Sequence, residues 1–142
     1  HRMKKTVIAI WGTAGIGKTS TIRRVFDKLN VEGKTPDKTT ESDICAIINL
    51  SNGKRLGIES LGDPGSEQPE WIDYLVENHC DVIVCACRTK GDTADTVANL
   101  VNYDYDTIWV SPFTSKNLGE EALNDISADA IIKLIERCIL IS

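Results

Sequence analysis

The sequence predicts an α/β domain, built as a three-layer αβα sandwich around a mostly parallel five-stranded sheet with one antiparallel edge strand. The first observation behind this class is that apolar, strand-type runs alternate along the chain with amphipathic helical segments, a pattern typical of parallel sheets covered on both faces. The second is the pair Asn52-Gly53 between two strand-type runs, which predicts a hairpin and hence one antiparallel strand. The 142 residues suffice for a single domain with a core of its own.

The same patterns predict the order of the elements. Strands are expected at about residues 5–11, 44–50, 54–60, 81–87 and 107–110, and helices at about 18–30, 67–78, 93–101 and 127–140. The last helix has Ile131, Ile135 and Cys138 at helical spacing, and Ser127 before them is a suitable N-cap. Residues 31–43 are polar and include Gly and Pro, so we expect a mobile loop there.

Composition excludes several classes of function. A net charge of −5 without a basic cluster argues against a nucleic-acid partner. No apolar run reaches the length of a membrane span, and no signal peptide precedes the first strand, so we expect no membrane partner. The five cysteines lie mostly in apolar runs, which predicts buried, reduced thiols in a cytoplasmic protein. Residues 1–2 precede Met3 and are expected to be an expression scar, which leaves a domain of residues 3–142.

The strongest functional signal is a glycine loop between the first strand and the first helix. Residues 12–19 have the letters G-T-A-G-I-G-K-T, which match the pattern G-x-x-x-x-G-K-[ST] in the strand–loop–helix setting that binds phosphate. Glycines allow the backbone N–H groups to approach phosphate oxygens, and the positive end of the following helix favours an anion. The residues expected to bind the nucleotide are Gly12, Thr13, Ala14, Gly15, Ile16, Gly17, Lys18, Thr19 and Ser20.

On this motif the chain resembles the P-loop nucleoside triphosphatases. The resemblance implies that Lys18 contacts the β and γ phosphates and that the Thr19 hydroxyl binds Mg²⁺. An acid near the phosphate loop is expected to complete the magnesium site. The candidates are Glu59, at the end of the third strand, and Asp63, four residues later. Glu59 is alternatively a solvated residue of the strand, and Asp63 alternatively serves only the Asp-Pro-Gly turn.

The first half of the chain also looks like that of a small GTPase in its layout. In that family the second hairpin strand ends in Asp-x-x-Gly, whose glycine senses the γ phosphate, and the letters at this place are Glu59-Ser60-Leu61-Gly62. A threonine of the preceding loop binds magnesium in that family, and Thr39 and Thr40 occupy the matching loop. The resemblance is one of layout more than of letters.

Nothing in the sequence specifies guanine strongly. Thr89-Lys90-Gly91-Asp92 matches the base-reading letters of small GTPases but follows the fourth strand instead of the fifth. Thr114-Ser115-Lys116 corresponds to the later element of that family only if a strand and a helix are deleted. We therefore favour a chance match at residues 89–92, and ATP is the expected nucleotide, with GTP as the alternative.

Arg88 has two interpretations of equal weight. It ends a central strand on the phosphate side, where an arginine stabilises a phosphoryl group in transfer, or it forms an ordinary ion pair. The sequence as a whole predicts an ATPase that uses Mg²⁺, with Lys18, Glu59, Asp63 and Arg88 as catalytic residues and Thr19, Glu59 and Asp63 as metal ligands. A GTP-binding switch, a nucleotide-gated module that recruits a protein partner, and a small-molecule kinase remain alternatives.

Overall fold

The computed structural model describes residues 5–141, without the side chain of residue 141, and has eleven elements of regular structure. The strands are β1 (Lys5–Trp11), β2 (Lys38–Thr39), β3 (Ile44–Asn49), β4 (Arg55–Glu59), β5 (Val82–Cys87) and β6 (Tyr105–Val110). The helices are α1 (Lys18–Lys28), α2 (Gln68–Glu77), α3 (Asp92–Ala98) and α4 (Glu120–Ile141), and a 3₁₀ segment (Asn99–Tyr103) follows α3. The prediction of a mixed α/β chain with a mostly parallel sheet is confirmed.

All six strands belong to one sheet in the order β2-β3-β4-β5-β1-β6. The strands β4, β5, β1 and β6 are mutually parallel, whereas β3 pairs antiparallel with both β2 and β4. The hairpin predicted at Asn52-Gly53 therefore forms as expected. The antiparallel strand is not at the edge, however, because the additional strand β2 covers it.

Helices cover the sheet on both faces. Side chains of a strand alternate between the faces, so a strand of apolar residues presents apolar side chains that must be covered on each side. From β1, Ile8 and Ile10 pack with apolar side chains of α1 and α4. Val7 and Ala9 pack on the other face with those of α2 and α3. We call these the α1/α4 face and the α2/α3 face. All five cysteines, Cys45, Cys80, Cys85, Cys87 and Cys138, are buried and free, as the sequence predicted.

Two sequence predictions are wrong in detail. The sheet has six strands instead of five, because residues 38–39, inside the segment expected to be a mobile loop, pair with β3. Helix α4 begins at Glu120, so Ser127 is not its N-cap. Ser127 is buried inside this helix, and its hydroxyl accepts a hydrogen bond of 3.1 Å from the N–H of Phe113. A serine within a helix and a serine at its start look alike in sequence when the preceding turn is polar.

Candidate functional site

The glycine loop joins the carboxyl end of β1 to the N-terminus of α1, as its letters predict. Gly17 precedes α1 with φ 91°, and a Cβ there would collide with the side chain of Asn124 on α4. Gly12 has φ 155°, and a Cβ there would collide with Ile16. Both positions therefore require glycine, so the loop is a compact turn whose backbone can approach a ligand closely.

The start of α1 carries positive charge that protein groups only partly neutralise. Among the described residues, no side chain caps the helix, and its first turn contains no acid. The Lys18 Nζ donates hydrogen bonds of 2.8 Å to the Gly12 carbonyl and 2.7 Å to the Thr13 carbonyl, which holds the ammonium group across the loop. Burial, and then the nearby charge of Arg88, lower the pKa of Lys18. Helix dipole and ammonium group together favour an anion at this loop.

A cavity of about 810 Å³ opens beside this loop, within the range of small-molecule sites. Its basic lining consists of Lys18, Arg23 and Arg24, and Thr19 contributes its hydroxyl. Further lining residues from three other segments are Glu41, Ser42, Ser60, Gly62, Asp63 and Glu120. The two arginines of α1 were not predicted as site residues, because helical spacing alone does not tell which side of a helix borders a cavity.

The Thr19 hydroxyl meets a carboxylate that sequence reasoning missed. Its Oγ1 donates to Asp43 Oδ1 at 3.3 Å, and it also lies 3.3 Å from the Ser60 carbonyl. The Ser60 hydroxyl donates to the same Asp43 oxygen at 2.8 Å and accepts the Ile44 N–H at 2.9 Å. Asp43, which the sequence analysis did not name as a site residue, is therefore the carboxylate that contacts Thr19. The available signal was its place at the end of the polar loop, directly before β3.

Glu59 lies in a different environment from the one expected. It is fully buried, and its Oε2 accepts the N–H of Ala86 at 2.9 Å. Its neighbour Ile58 packs on the α1/α4 face, so strand alternation directs Glu59 to the α2/α3 face, to which Cys85 and Cys87 also belong. Burial raises the pKa of Glu59 well above its ordinary value. The carboxyl is consequently part of the core and does not belong to the cavity lining found in the described chain.

Asp63 and Arg88 form an ion pair at the edge of the cavity. The Arg88 Nη2 lies 3.0 Å from Asp63 Oδ1, with Asp63 largely exposed and Arg88 about one quarter exposed. The charge of Arg88 lowers the pKa of Lys18, and that of Asp63 raises it, so all three groups are neighbours. This geometry accommodates both interpretations of Arg88, because an arginine paired with an exposed acid can turn toward a phosphate.

Two of the residues compared with GTPase motifs, Asp92 and Thr40, hold structural hydrogen bonds. Asp92 is the first residue of α3, and its Oδ2 accepts the Gly65 N–H at 3.0 Å. Thr40 accepts the Asp43 N–H at 3.1 Å, and Thr39 is exposed in β2. A second cavity, of about 200 Å³, borders the other side of the glycine loop and is lined by Gly15, Ile16, Phe113, Thr114, Ser115, Glu120 and Leu123. Asp92 belongs to the lining of neither cavity in the described chain.

Comparison of the chain with protein-family models, curated proteins and solved structures found no match. Within residues 5–141, no helix is both long and apolar enough to cross a bilayer. The same residues contain no group of three or more His, Cys, Asp or Glu side chains arranged to hold a metal ion. The functional argument therefore depends on the geometry around the glycine loop.

Proposed function

We propose that the chain is a P-loop nucleoside triphosphatase that binds ATP with Mg²⁺ and hydrolyses it. The observation that carries this proposal is the combination at one end of the sheet of a glycine loop, an uncapped α1 and the Lys18 ammonium group. These features favour a polyphosphate, and the adjoining cavity of about 810 Å³ has room for a nucleotide.

The oxygen groups around Thr19 fit a magnesium ion. The Thr19 hydroxyl and the Asp43 carboxylate are the hard oxygen ligands that this cation takes, and it commonly keeps water and phosphate oxygens as its other ligands. Asp63, on the cavity wall, is a second candidate carboxylate. When bound, the ion supplies charge neutralisation to the phosphates.

The chain's own groups would act on the phosphates chiefly through charge and position. Lys18 would exchange its two carbonyl partners for phosphate oxygens and stabilise the charge that develops during transfer. Asp63 would orient a water molecule, and Arg88, released from Asp63, would balance charge on the phosphoryl group. The position of Asp63 and Arg88 near Lys18 supports these proposed roles.

Binding measurements test this proposal. ATP and GTP affinities, each with and without Mg²⁺, are compared for the wild type, for Lys18→Ala and for the control Lys133→Ala, which removes an exposed lysine of α4. Loss of the Lys18 charge should weaken magnesium-dependent ATP binding by about a hundredfold, as for other charge-assisted phosphate contacts. The control should bind as the wild type does. Equal affinities for all three proteins, or no binding at all, contradict the proposal, and a GTP preference would favour the switch alternative.

One observation favours a second candidate, a nucleotide-gated binding module. Residues of two separate loops, Asp43 and Ser60, meet at the Thr19 hydroxyl, so a ligand there would contact both loops at once. Loops that meet at a phosphate commonly reorder when it is bound and then recruit a partner. Tight binding without measurable hydrolysis, together with ATP-dependent protection of residues 36–43 and 60–67 from hydrogen exchange, would favour this module over the ATPase.

A further inference from the structure

Two fully buried polar side chains hold the same residue near the carboxyl end of β5. Glu59 Oε2 accepts the N–H of Ala86 at 2.9 Å, and Gln68 Nε2 donates to the carbonyl of Ala86 at 3.0 Å. Gln68 also donates to the carbonyl of Thr93 at 3.1 Å. Both side chains are completely inaccessible to solvent. Burying a polar side chain costs free energy, and hydrogen bonds offset only part of that cost. The convergence of two such side chains on one residue therefore calls for a structural or functional reason.

The residues just after Ala86 make contacts with two of the loops at the candidate site. The Cys87 carbonyl accepts the N–H of Gly12, the first residue of the glycine loop, at 3.2 Å. The N–H of Arg88 donates to the Thr93 hydroxyl at 3.0 Å. Gly62 lies so close that a Cβ added to it would be 3.0 Å from the Cβ of Ala86. Any movement of this strand end would therefore displace the glycine loop, Arg88 and the loop at Gly62 together.

We propose that Glu59 and Gln68 are positioning residues that fix the backbone at Ala86 and thereby place the glycine loop and Arg88 relative to each other. This role replaces that of a magnesium ligand for Glu59, and its catalytic meaning depends on the proposed nucleotide site. Gln68 was not among the predicted site residues.

One detail of the pair supports the assignment. Glu59 Oε1 and Gln68 Oε1 are both buried and have no hydrogen-bond partner within the described chain. Buried polar atoms without a partner are rare in folded proteins, which points to a reason for keeping these two side chains. Burial is the largest influence on the pKa of Glu59 and raises it, whereas hydrogen bonds from the backbone N–H groups of Ala86 and Leu61 lower it; the net shift is upward and favours the neutral carboxyl.

Four variants separate positioning from metal binding and from general stability. Glu59→Gln keeps an acceptor for the Ala86 N–H, whereas Glu59→Leu and Gln68→Met remove the hydrogen bonds at similar volume. Leu75→Ala is the control, since it opens a cavity among the fully buried side chains of the α2/α3 face without touching this network. Each variant is assayed for magnesium-dependent ATP affinity and, without nucleotide, for amide hydrogen exchange at Gly12 and Ala86 relative to Ile8.

Positioning predicts that Glu59→Gln stays within about threefold of the wild type in both assays. Glu59→Leu and Gln68→Met should each weaken ATP binding at least tenfold and accelerate exchange at Gly12 and Ala86 at least tenfold relative to Ile8. The control should change neither ratio. If Glu59→Leu does not fold, Gln68→Met decides the question.

Two results would overturn the proposal. The first is a loss of magnesium-dependent ATP binding in Glu59→Gln, because that loss would identify Glu59 as a carboxylate ligand of the metal ion. The second is an effect of Leu75→Ala on ATP affinity and on the exchange ratios equal to the effects of Glu59→Leu and Gln68→Met, because Glu59 and Gln68 would then be ordinary core residues. If the wild type binds no nucleotide, the proposed function fails, and the exchange ratios alone confirm or refute the placement of the glycine loop.

Discussion

Asp43 and Glu59 are two carboxylates near the same loop in opposite environments. Asp43 is half-buried, lies in the loop directly before β3 and accepts hydrogen bonds from the Thr19 and Ser60 hydroxyls. Glu59 is completely buried and accepts the N–H of Ala86 from a neighbouring strand. The difference teaches that an acid at the end of a strand can belong to the core, whereas an acid of a polar loop contacts the Thr19 hydroxyl. For Glu59, the face of the strand on which the side chain lies decides that the carboxyl is buried in the core.

The largest effect should separate these two acids in magnesium-dependent ATP binding. Asp43→Asn removes an anionic ligand and should weaken binding in the presence of Mg²⁺ by about tenfold to a hundredfold, the usual range for a charge-assisted contact. Affinity without Mg²⁺ should change little. Titration of a fluorescent ATP analogue with and without Mg²⁺ measures both numbers. Equal magnesium dependence in Asp43→Asn and the wild type would remove Asp43 from the metal site.

A second test examines the ion pair of Asp63 and Arg88 at the edge of the cavity. If Arg88 stabilises the phosphoryl group, Arg88→Ala should lower the ATP turnover rate by about tenfold or more and leave ATP affinity within about threefold. Asp63→Asn, which removes the partner of Arg88, provides the matched comparison. Unchanged turnover in Arg88→Ala would leave the guanidinium group as a simple ion-pair partner of Asp63.

A third test uses the pH dependence of stability to examine Glu59. Its pKa is raised in the folded protein by burial, so the folded state holds this proton more tightly than the unfolded state. Protonation of Glu59 then contributes fully to the free energy of unfolding at pH values below the pKa of the unfolded state. This contribution is lost as pH rises toward the pKa of the folded state, with a slope of at most about 1.4 kcal/mol per pH unit.

Glu59→Gln lacks this proton and should lack this slope. Urea unfolding between pH 5 and 8 measures the free energy of unfolding of both proteins, and the advantage of the wild type over the variant should shrink steadily as pH rises. Parallel curves would mean that Glu59 is ionised in the folded protein, and its buried environment would then need a cationic partner that the structure does not assign to it.

The smallest effect is expected at Asp92, the residue that would read guanine in the switch alternative. Its carboxylate accepts the N–H of Gly65 and belongs to the lining of neither described cavity. Asp92→Asn keeps an acceptor oxygen for that N–H, so the ratio of ATP to GTP affinity should change by less than about twofold. A loss of GTP binding alone would identify Asp92 as a base-reading residue and support the switch.

Much of the fold was predictable because its signals are local. The alternation of apolar runs with amphipathic segments indicated a mostly parallel sheet, and Asn52-Gly53 indicated the antiparallel pairing of β3 with β4. Strand β2 was not predictable in this way, because two exposed residues in a polar segment carry no apolar signal. Its pairing with β3 depends on a strand that is already in place.

In the candidate site, too, the residues of a local motif were predictable and those from distant segments were not. The positions of Gly12, Gly17 and Lys18 follow from one continuous motif whose backbone geometry is set by neighbours in sequence. Asp43 and Gln68 come to the site from other segments, and no spacing rule connects them with the glycine loop.

The sequence by itself determined the class of fold, the hairpin and the turn that presents backbone N–H groups and the Lys18 ammonium group at the start of α1. Those features depend on side-chain periodicity and on glycine conformations, which act over a few residues. Only the tertiary structure decided that Glu59 enters the core beside Ala86 while Asp43 meets Thr19. Strand order and the alternation of side chains across a sheet determine which acids come together, and strand order arises from pairings between distant segments.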